Sequence, residues 1–293
     1  MTVDTLESLP RAFPRTCVPQ NLVIREFADV QPLFEKLLAA PLDTREALEK
    51  WLLDWSELAG VVEEAGARIY IRSTVDTTSE SYRSAFMHWV EHVDPLLKPV
   101  TQQLQRKFAA SPARKQLDAN YAVLERSVLN QLALYRDENI PLQTEIAKLT
   151  NRYDEIQGAV TIEFDGRERT PQQMGKLLLE PDRALRERAW RALAQRRLQD
   201  ADKLDDLYEA QLRLREQVAR NAGFADFRAY TFRAYERFDY TPAHCDAYAD
   251  AVEKVVLPVL ARMHEKRRTD MKLDRLRPWD LAADPKGLPP LKP

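Results

Sequence analysis

The residues most able to do chemistry together are His88, Glu91 and His92, in the stretch FMHWVEHVD at residues 86–94. Two histidines four apart share one face of a helix, and a glutamate just before the second lies on nearly the same side. The order H-x-x-E-H can offer two imidazoles to a zinc ion and a carboxylate that polarises a water. A single-zinc site also needs a third protein ligand, usually oriented by groups behind it. The chain has four histidines, and His244 and His264 are remote in sequence. Glutamates are too common for any one to be chosen as the third ligand by type alone. The pair also flanks the apolar positions Phe86, Trp89 and Val93, where histidines serve as hydrogen-bonded border residues. A structural role is therefore the expectation for both, and no catalytic, cofactor-binding or metal-ligating residue is assigned.

Two other stretches invite a chemical reading and lose it. HEKRR, His264 to Arg268, begins like the zinc-binding order H-E-x-x-H, but its fifth residue is Arg268. A guanidinium stays protonated and has no lone pair to give a metal. These basic residues suit a helix C-terminus instead. The run Arg183, Arg186, Arg188, Arg191, Arg196 and Arg197 could form a phosphate-binding surface. Asp182, Glu187, Asp200, Asp202, Asp205 and Asp206 interleave or flank it, which is the pattern of a solvated face with paired charges. No glycine-rich phosphate loop, G-x-S-x-G elbow or cysteine–histidine pair of recognisable spacing occurs.

Elements that would carry such residues are helical. Only seven glycines occur in 293 residues, and apolar residues make up 44%. A capping-box-like Asp43 and Glu46 open a helix with Leu48, Trp51, Leu52, Trp55, Leu58 and Val62 as its stripe. A second helix is predicted over about 77–110, with Tyr82, Phe86, Trp89, Val93, Leu96, Val100, Leu104 and Phe108 facing inward and kinks at Pro95 and Pro99. Ser111-Pro112 reads as the start of a helix over 112–136, followed by another over 141–158. Val160, Ile162 and Phe164 alternate ahead of Asp165-Gly166, a small hairpin. Thr170-Pro171 and Pro181-Asp182 look like helix starts. From Asp182 a helical pattern runs to Gly223 as a C-terminal cap, with Trp190, Leu193, Leu204, Leu207, Leu214 and Val218 as its buried stripe. Thr241-Pro242 opens the last long helix. No repeat of fixed period is present.

Bulk properties exclude some functions. The formal net charge is −2, so no field of one sign attracts nucleic acid or an anionic membrane. No apolar run is long enough to span a bilayer, and the start lacks an apolar signal core. Cys17 and Cys245 match no metal spacing and read as reduced thiols, which points to the cytoplasm.

The second half carries more than generic helix. DRALRERAWRALAQRR, NAGFADFRAYTFRAYERFDYTPAHCDAYADAVEKVVLPVLARMHEKRR and LDRLRPWDLAADPKGLPPL resemble, in order, the oligoendopeptidase F and thimet oligopeptidase group of zinc metallopeptidases. VTIEFDGRERTPQQMGKLLLEPDR is similar to the insert ahead of that family's catalytic domain. The resemblance covers most of the chain and is strongest from about residue 115 onward. It implies a nearly all-helical enzyme that cleaves short peptides in a deep channel, using H-E-x-x-H and a downstream glutamate to hold zinc. In the family that motif follows the segment matched by Arg277-Pro278-Trp279-Asp280, and no such motif follows it in this sequence. The family gives His88 and His92 no metal role.

The expectations are thus a mostly α fold of helical hairpins and long antiparallel helices, with one small β-hairpin near 159–170. The expected divisions are an extended arm over 1–26, a helical-hairpin domain over 27–110, a hairpin-bearing domain over 111–185 and an incomplete first part of the catalytic domain over 186–293. Zinc is expected in the full-length enzyme and not in this chain, which by itself is expected to be inactive. Expected partners are short unfolded peptides and the missing C-terminal catalytic half. The alternative is a stand-alone helical binding or scaffold protein without a metal site. The two differ at Val255, Val256, Leu257, Val259 and Leu260: an apolar run suits a covered face, polar residues a free one.

Overall fold

A threonine sets the first long helix. Thr44 is extended, and its hydroxyl accepts from the Ala47 amide, so the helix begins at Arg45 rather than at a box on Asp43. This computed structural model describes residues 15–289. The parts of the expected arm over 1–14 and of the proline-rich end over 290–293 lie outside the described residues. The fold is mostly helical, and β1 (Ile162–Phe164) and β2 (Arg167–Arg169) form the one sheet among the described residues.

Helix α1 is Gln31–Ala39, α2 is Arg45–Val75, α3 is Glu80–His88 and α4 is Asp94–Ala110. Between α3 and α4 the chain stays helical through a π turn, Trp89–Val93. Its cause is Pro95, whose ring would press on the Glu91 carbonyl and which has no amide to donate. The wider turn takes in one extra residue and advances the buried face by one. Leu97 is therefore buried and Leu96 is half exposed, reversing the expected inward position of Leu96. The remaining stripe lands where its spacing places it, with Phe86, Trp89, Val93, Val100, Leu104 and Phe108 all buried. Gly66 on α2 lets the Trp89 indole approach, since a Cβ there would stand 3.1 Å from the ring.

Ser111-Pro112 starts only a short 3-10 turn, Pro112–Gln116. The Ser111 hydroxyl donates to the Leu42 carbonyl at 2.8 Å instead of capping the turn. A second 3-10 turn, Ala119–Tyr121, is capped by Asp118, and only then does α5 run, Ala122–Leu134. Helix α6 spans Asn139–Gly158. The hairpin turns on Asp165 and Gly166, both with positive φ, and pairs Phe164 with Arg167 and Ile162 with Arg169. Helix α7, Pro171–Leu177, has a reciprocal Thr170–Gln173 cap.

The expected single helix from Asp182 to Gly223 is two. Helix α8 is Arg183–Leu198 and α9 is Ala201–Asn221, broken at Gln199-Asp200. The buried Asp200 carboxylate binds Arg196 and Lys203, and its carbonyl accepts from Leu204, so it opens a new helix. Of the predicted stripe only Val218 is fully buried. Gly223 closes α9 with φ +86°, its amide bonding to Arg220 and that of Phe224 to Ala219. Helix α10 is Phe227–Ala234, and Glu236 closes it in the same left-handed form at φ +55°. Helix α11, Pro242–Ala251, passes through a second π turn, Val252–Val256, into α12, Leu257–Asp270. Pro258 stands behind that turn as Pro95 stands behind the first.

Contacts divide the chain into two units. One holds residues up to Glu155 together with Glu209–Phe238, and the other holds Ile156–Tyr208 together with residues from Asp239. The first unit's core joins Leu48, Trp51 and Leu58 of α2 to Val93, Leu104 and Phe108, with Val30 and Phe34 beside them. The second unit's smaller core packs Val160, Ile162 and Phe164 on Met174 and Ala189.

Within the first unit, one carboxylate ties down the segment leading into the core. Glu57 accepts from the amides of Thr16, Cys17 and Val18 at 2.8–3.0 Å and from the Thr16 hydroxyl at 2.8 Å. Burial works against its charge, but hydrogen bonds from Thr16, Val18 and Cys17 outweigh it and hold the carboxyl down to about 2. The folded state thus binds its proton less readily than the unfolded chain. The contribution is fully present above the ordinary carboxylate value and is lost as pH falls through about 2. We expect acid unfolding to steepen below the ordinary carboxylate range, and Glu57→Gln to flatten that limb in circular dichroism melts taken across the same pH series.

Candidate functional site

Of the three residues in the H-x-x-E-H stretch, Glu91 is taken by an ion pair and His88 faces a carboxylate. His88 ends α3, while Glu91 and His92 sit in the π turn. Their imidazole centroids are 5.1 Å apart and tilted by 49°. His88 Nε2 faces Glu26 Oε1 at 3.0 Å, a close approach outside hydrogen-bonding angles. Glu91 is held by the Lys148 ammonium at 2.6 Å, and the hydrogen bond to that lysine outweighs burial and keeps its carboxyl below the ordinary value. A divalent ion would have to displace a lysine that already neutralises its carboxylate. Among the described residues no three histidine, cysteine or carboxylate side chains converge on a point that could hold a metal. Zinc does not fit the residues present here.

The second stretch resolves as a capped helix end. Arg268 pairs with Glu265 at 2.6 Å and donates to the Leu273 carbonyl at 2.7 Å. Arg267 donates to the carbonyls of Asp280 at 3.2 Å and Ala283 at 2.5 Å. Both guanidinium groups thus tie the last turn of α12 to carbonyls of the segment that follows it.

The arginine run is shared out among several duties. Arg188 reaches Asp165 at the hairpin turn, Arg191 pairs with Glu187 and lies over Trp279, and Arg196 holds Asp200. Arg197 lines a cleft of about 440 Å³ with Trp190, Leu193 and Leu204. Arg183 and Arg186 converge with Asp280 of the R-P-W-D segment. Arg183 binds Asp280 in a two-pronged contact, both bonds 2.9 Å. Arg186, only 2% exposed, donates to Asp280 at 3.0 Å and to the carbonyls of Trp279, Glu180 and Pro181, each at 2.9 Å. The Arg277 amide adds a bond to the Asp280 carboxylate at 3.0 Å. Burial disfavours the Asp280 charge, yet the bonds from Arg183 and Arg186 hold its carboxyl below the ordinary range. Trp279 packs on Trp190 at 5.5 Å between ring centroids.

This cluster was not found from the sequence. Arg183 and Asp280 lie 97 positions apart, and charge alternation along α8 hid which arginines turn inward. The usable signal was Trp-Asp in a proline-rich stretch, a residue pair with no reason to occur on a solvated end.

The last helical segment shows the opposite behaviour. Neither α11, nor the π turn after it, nor α12 contains a buried residue. Val255 is 65% exposed, Val256 49%, Leu257 50%, Val259 42%, Leu260 40% and Met263 63%. Val255, Val256, Val259, Leu260 and Met263 follow one another at alternating spacings of one and three, forming a stripe on one side of a helix.

Two measurements bear on these sites. Asp280→Ala leaves the buried Arg186 guanidinium without its carboxylate and beside that of Arg183, and we expect a loss of about 3–5 kcal/mol in denaturant unfolding. The half-exposed partner should matter less, with Arg183→Ala costing no more than about 2 kcal/mol. Elemental analysis of the purified chain should find no stoichiometric zinc, and His88→Ala with His92→Ala should leave the value unchanged.

A sequence model described as the Peptidase M3 N-terminal domain matches residues 22–124, and one described as Peptidase family M3 matches residues 176–285. No curated protein sequence matches. Among solved structures, a Bacillus anthracis protein given as oligoendopeptidase F superposes with a TM-score of 0.82 at 22% identity, over 90% of this chain and 49% of its own. PZ peptidase A, solved with an inhibitor, gives 0.82 at 23% identity, over 93% and 48%. An oligoendopeptidase-F from Enterococcus faecium gives 0.67 at 14% identity, over 88% and 55%. At these identities the likeness establishes the fold, and the chain spans about half the length of those structures. The two sequence matches together take in more than two thirds of the residues, and the chain belongs to peptidase family M3.

Proposed function

We propose that this chain forms the N-terminal portion of a zinc-dependent oligoendopeptidase that hydrolyses internal bonds of short peptides, its helices building one wall of the substrate channel. The observation that carries this reading is the bare apolar side of the helix through Val255–Met263. A stripe of that length on a solvated helix costs solubility and stabilises nothing until something covers it. Family membership supplies the class of cover, namely a further stretch of an M3 peptidase. In that family zinc with its activating glutamate supplies the nucleophile. The residues described here do not fit zinc, so this chain's share is shape: a wall that limits entry to short unfolded peptides.

The reading divides the chain's residues into three roles. The core of the first unit is a support, the Asp280 cluster fixes the second unit's R-P-W-D segment, and the α12 stripe is a contact face. A stand-alone scaffold would instead carry polar residues at Val255, Val256 and Leu260, and it does not. The expected setting is the cytoplasm. No helix among the described residues is long and apolar enough to cross a membrane.

The test is hydrolysis of an internally quenched peptide by residues 1–293 with zinc supplied, run beside sedimentation velocity over a concentration series. We expect no turnover, together with self-association that Val256→Glu combined with Leu260→Glu abolishes. Chelator-sensitive turnover by this chain would refute inactivity. A chain that remains monomeric at high concentration, unaffected by those substitutions, would refute the contact face and favour the stand-alone reading.

A further inference from the structure

A cleft of about 400 Å³ opens in the first unit, among α2, α4, α5, α6 and α10. That is at the small end of the volumes that hold ligands. Its apolar lining comes from Val62, Leu97, Leu134 and Ile140. What sets it apart is the state of its polar groups.

Every charged group at the cleft is already neutralised or satisfied from within. Lys98 binds Asp94 at 2.6 Å. Arg136 donates to the carbonyls of Tyr135 at 2.6 Å, Ala133 at 3.0 Å, Asn221 at 3.1 Å and Ala222 at 3.5 Å. The deeper amides are likewise engaged: Gln105 with Gln131 at 2.5 Å, and buried Asn139 with the Val218 carbonyl at 3.1 Å and with Asn221 at 2.8 Å. Tyr135 donates to Asp137 at 2.7 Å.

Three neutral groups lining the cleft have no protein partner among the described residues: the Thr101 hydroxyl, the Gln143 amide and the Tyr230 phenol. Tyr230 is half-buried, and burial raises its phenol above the ordinary value, so it stays protonated and can both donate and accept. The cleft therefore offers donors and acceptors without net charge, beside an aliphatic floor. A carboxylate or ammonium ligand would find no free counter-charge. A group carrying one donor, one acceptor and an aliphatic substituent meets all of these at once.

From this we propose that the cleft binds an uncharged peptide segment bearing an aliphatic side chain: Gln143 and Tyr230 pair with a backbone amide, and Leu97, Leu134 and Ile140 take the side chain. A saccharide could use the hydroxyl and amide groups, but it would leave the aliphatic floor poorly used, and the apolar lining favours the peptide. The proposal rests on the cleft alone and not on the peptidase reading. Absence of hydrolysis bears on one, and absence of binding on the other.

The probe is N-acetyl-leucine N-methylamide, which has two peptide units, a leucine side chain and no charge. Ligand-observed NMR and calorimetry with the whole chain should detect it near the millimolar range that a ligand of about thirteen non-hydrogen atoms supports. Tyr230→Phe and Gln143→Ala, both at half-buried positions, should each weaken binding by roughly 3- to 10-fold, the loss expected for one hydrogen bond. Replacing N-acetyl-leucine N-methylamide by N-acetyl-leucine should weaken it as well, and N-acetylglucosamine should not compete. Thermal melts of both variants establish that they are folded. No binding of the probe, binding that the folded double variant retains unchanged, or tighter binding of the carboxylate or the sugar would each overturn the proposal.

Discussion

The second unit is organised around one buried carboxylate. Asp280 is fully buried, and it receives both arms of Arg183, one of Arg186 and a backbone amide. Such a group is costly to desolvate, and it is tolerated only where every lone pair is met. The consequence is directional rather than merely cohesive. Arg186 spends its other donors on the Trp279, Glu180 and Pro181 carbonyls, so one guanidinium fixes the start of α8 and the R-P-W-D turn in a single register. Arg267 of α12 then binds the far side of that turn through Asp280 and Ala283 carbonyls. A hydrophobic contact could have supplied comparable energy, but a sliding apolar surface would not specify which carbonyl meets which donor.

That economy matters because the second unit has little apolar core. Its buried cluster is a hairpin, a methionine and an alanine, with leucines packed at the edge. Meanwhile the apolar residues of α12 face outward. Polar and cation–π contacts therefore carry structure that a larger core would carry elsewhere: Arg191 over Trp279, Arg188 over Phe164 and onto Asp165. The first unit is built the other way, with Phe108, Leu48, Leu58 and Leu104 fully buried and polar groups used for positioning. Trp51, Lys107 and Ser111 all donate to carbonyls between Leu37 and Leu42, clamping the link from α1 to α2.

Legibility in the sequence follows the range of the interaction. Local signals read correctly: Asp165-Gly166 as a hairpin, Thr170-Pro171 as a helix start and Gly223 as a left-handed cap are each decided by residues within a turn of one another. The apolar stripes of α2 and α4 read nearly as well. The one misplaced position, Leu96 for Leu97, comes from a π turn whose extra residue no fixed period can anticipate. The 3-10 turns after Ser111 were missed because the Ser111 hydroxyl bonds the Leu42 carbonyl instead of capping its own turn. Glu57 and Asp280 were invisible for the same reason: the partners that hold them lie 39 to 41 and 94 to 97 positions away. Glu236 hides differently, since it closes α10 in a conformation that sequence leads one to expect of glycine.

The His88–His92 stretch shows why a motif is a statement about freedom as much as about spacing. Two imidazoles four apart can hold a metal only if their nitrogens and the nearby carboxylate are unspent. Here Lys148 lies 2.6 Å from Glu91, and Glu26 lies 3.0 Å from His88. Each is supplied by an element distant in sequence, so the motif looks intact along the chain and is dismantled across it. The reverse holds on α12. There the residues are spaced as any buried helix face would be, yet no element among the described residues reaches them. A pattern that is matched in space reads as structure, and one left unmatched reads as a demand on something further. By that criterion the metal-like stretch belongs to the scaffold, and the plain aliphatic one is the face left uncovered among the described residues.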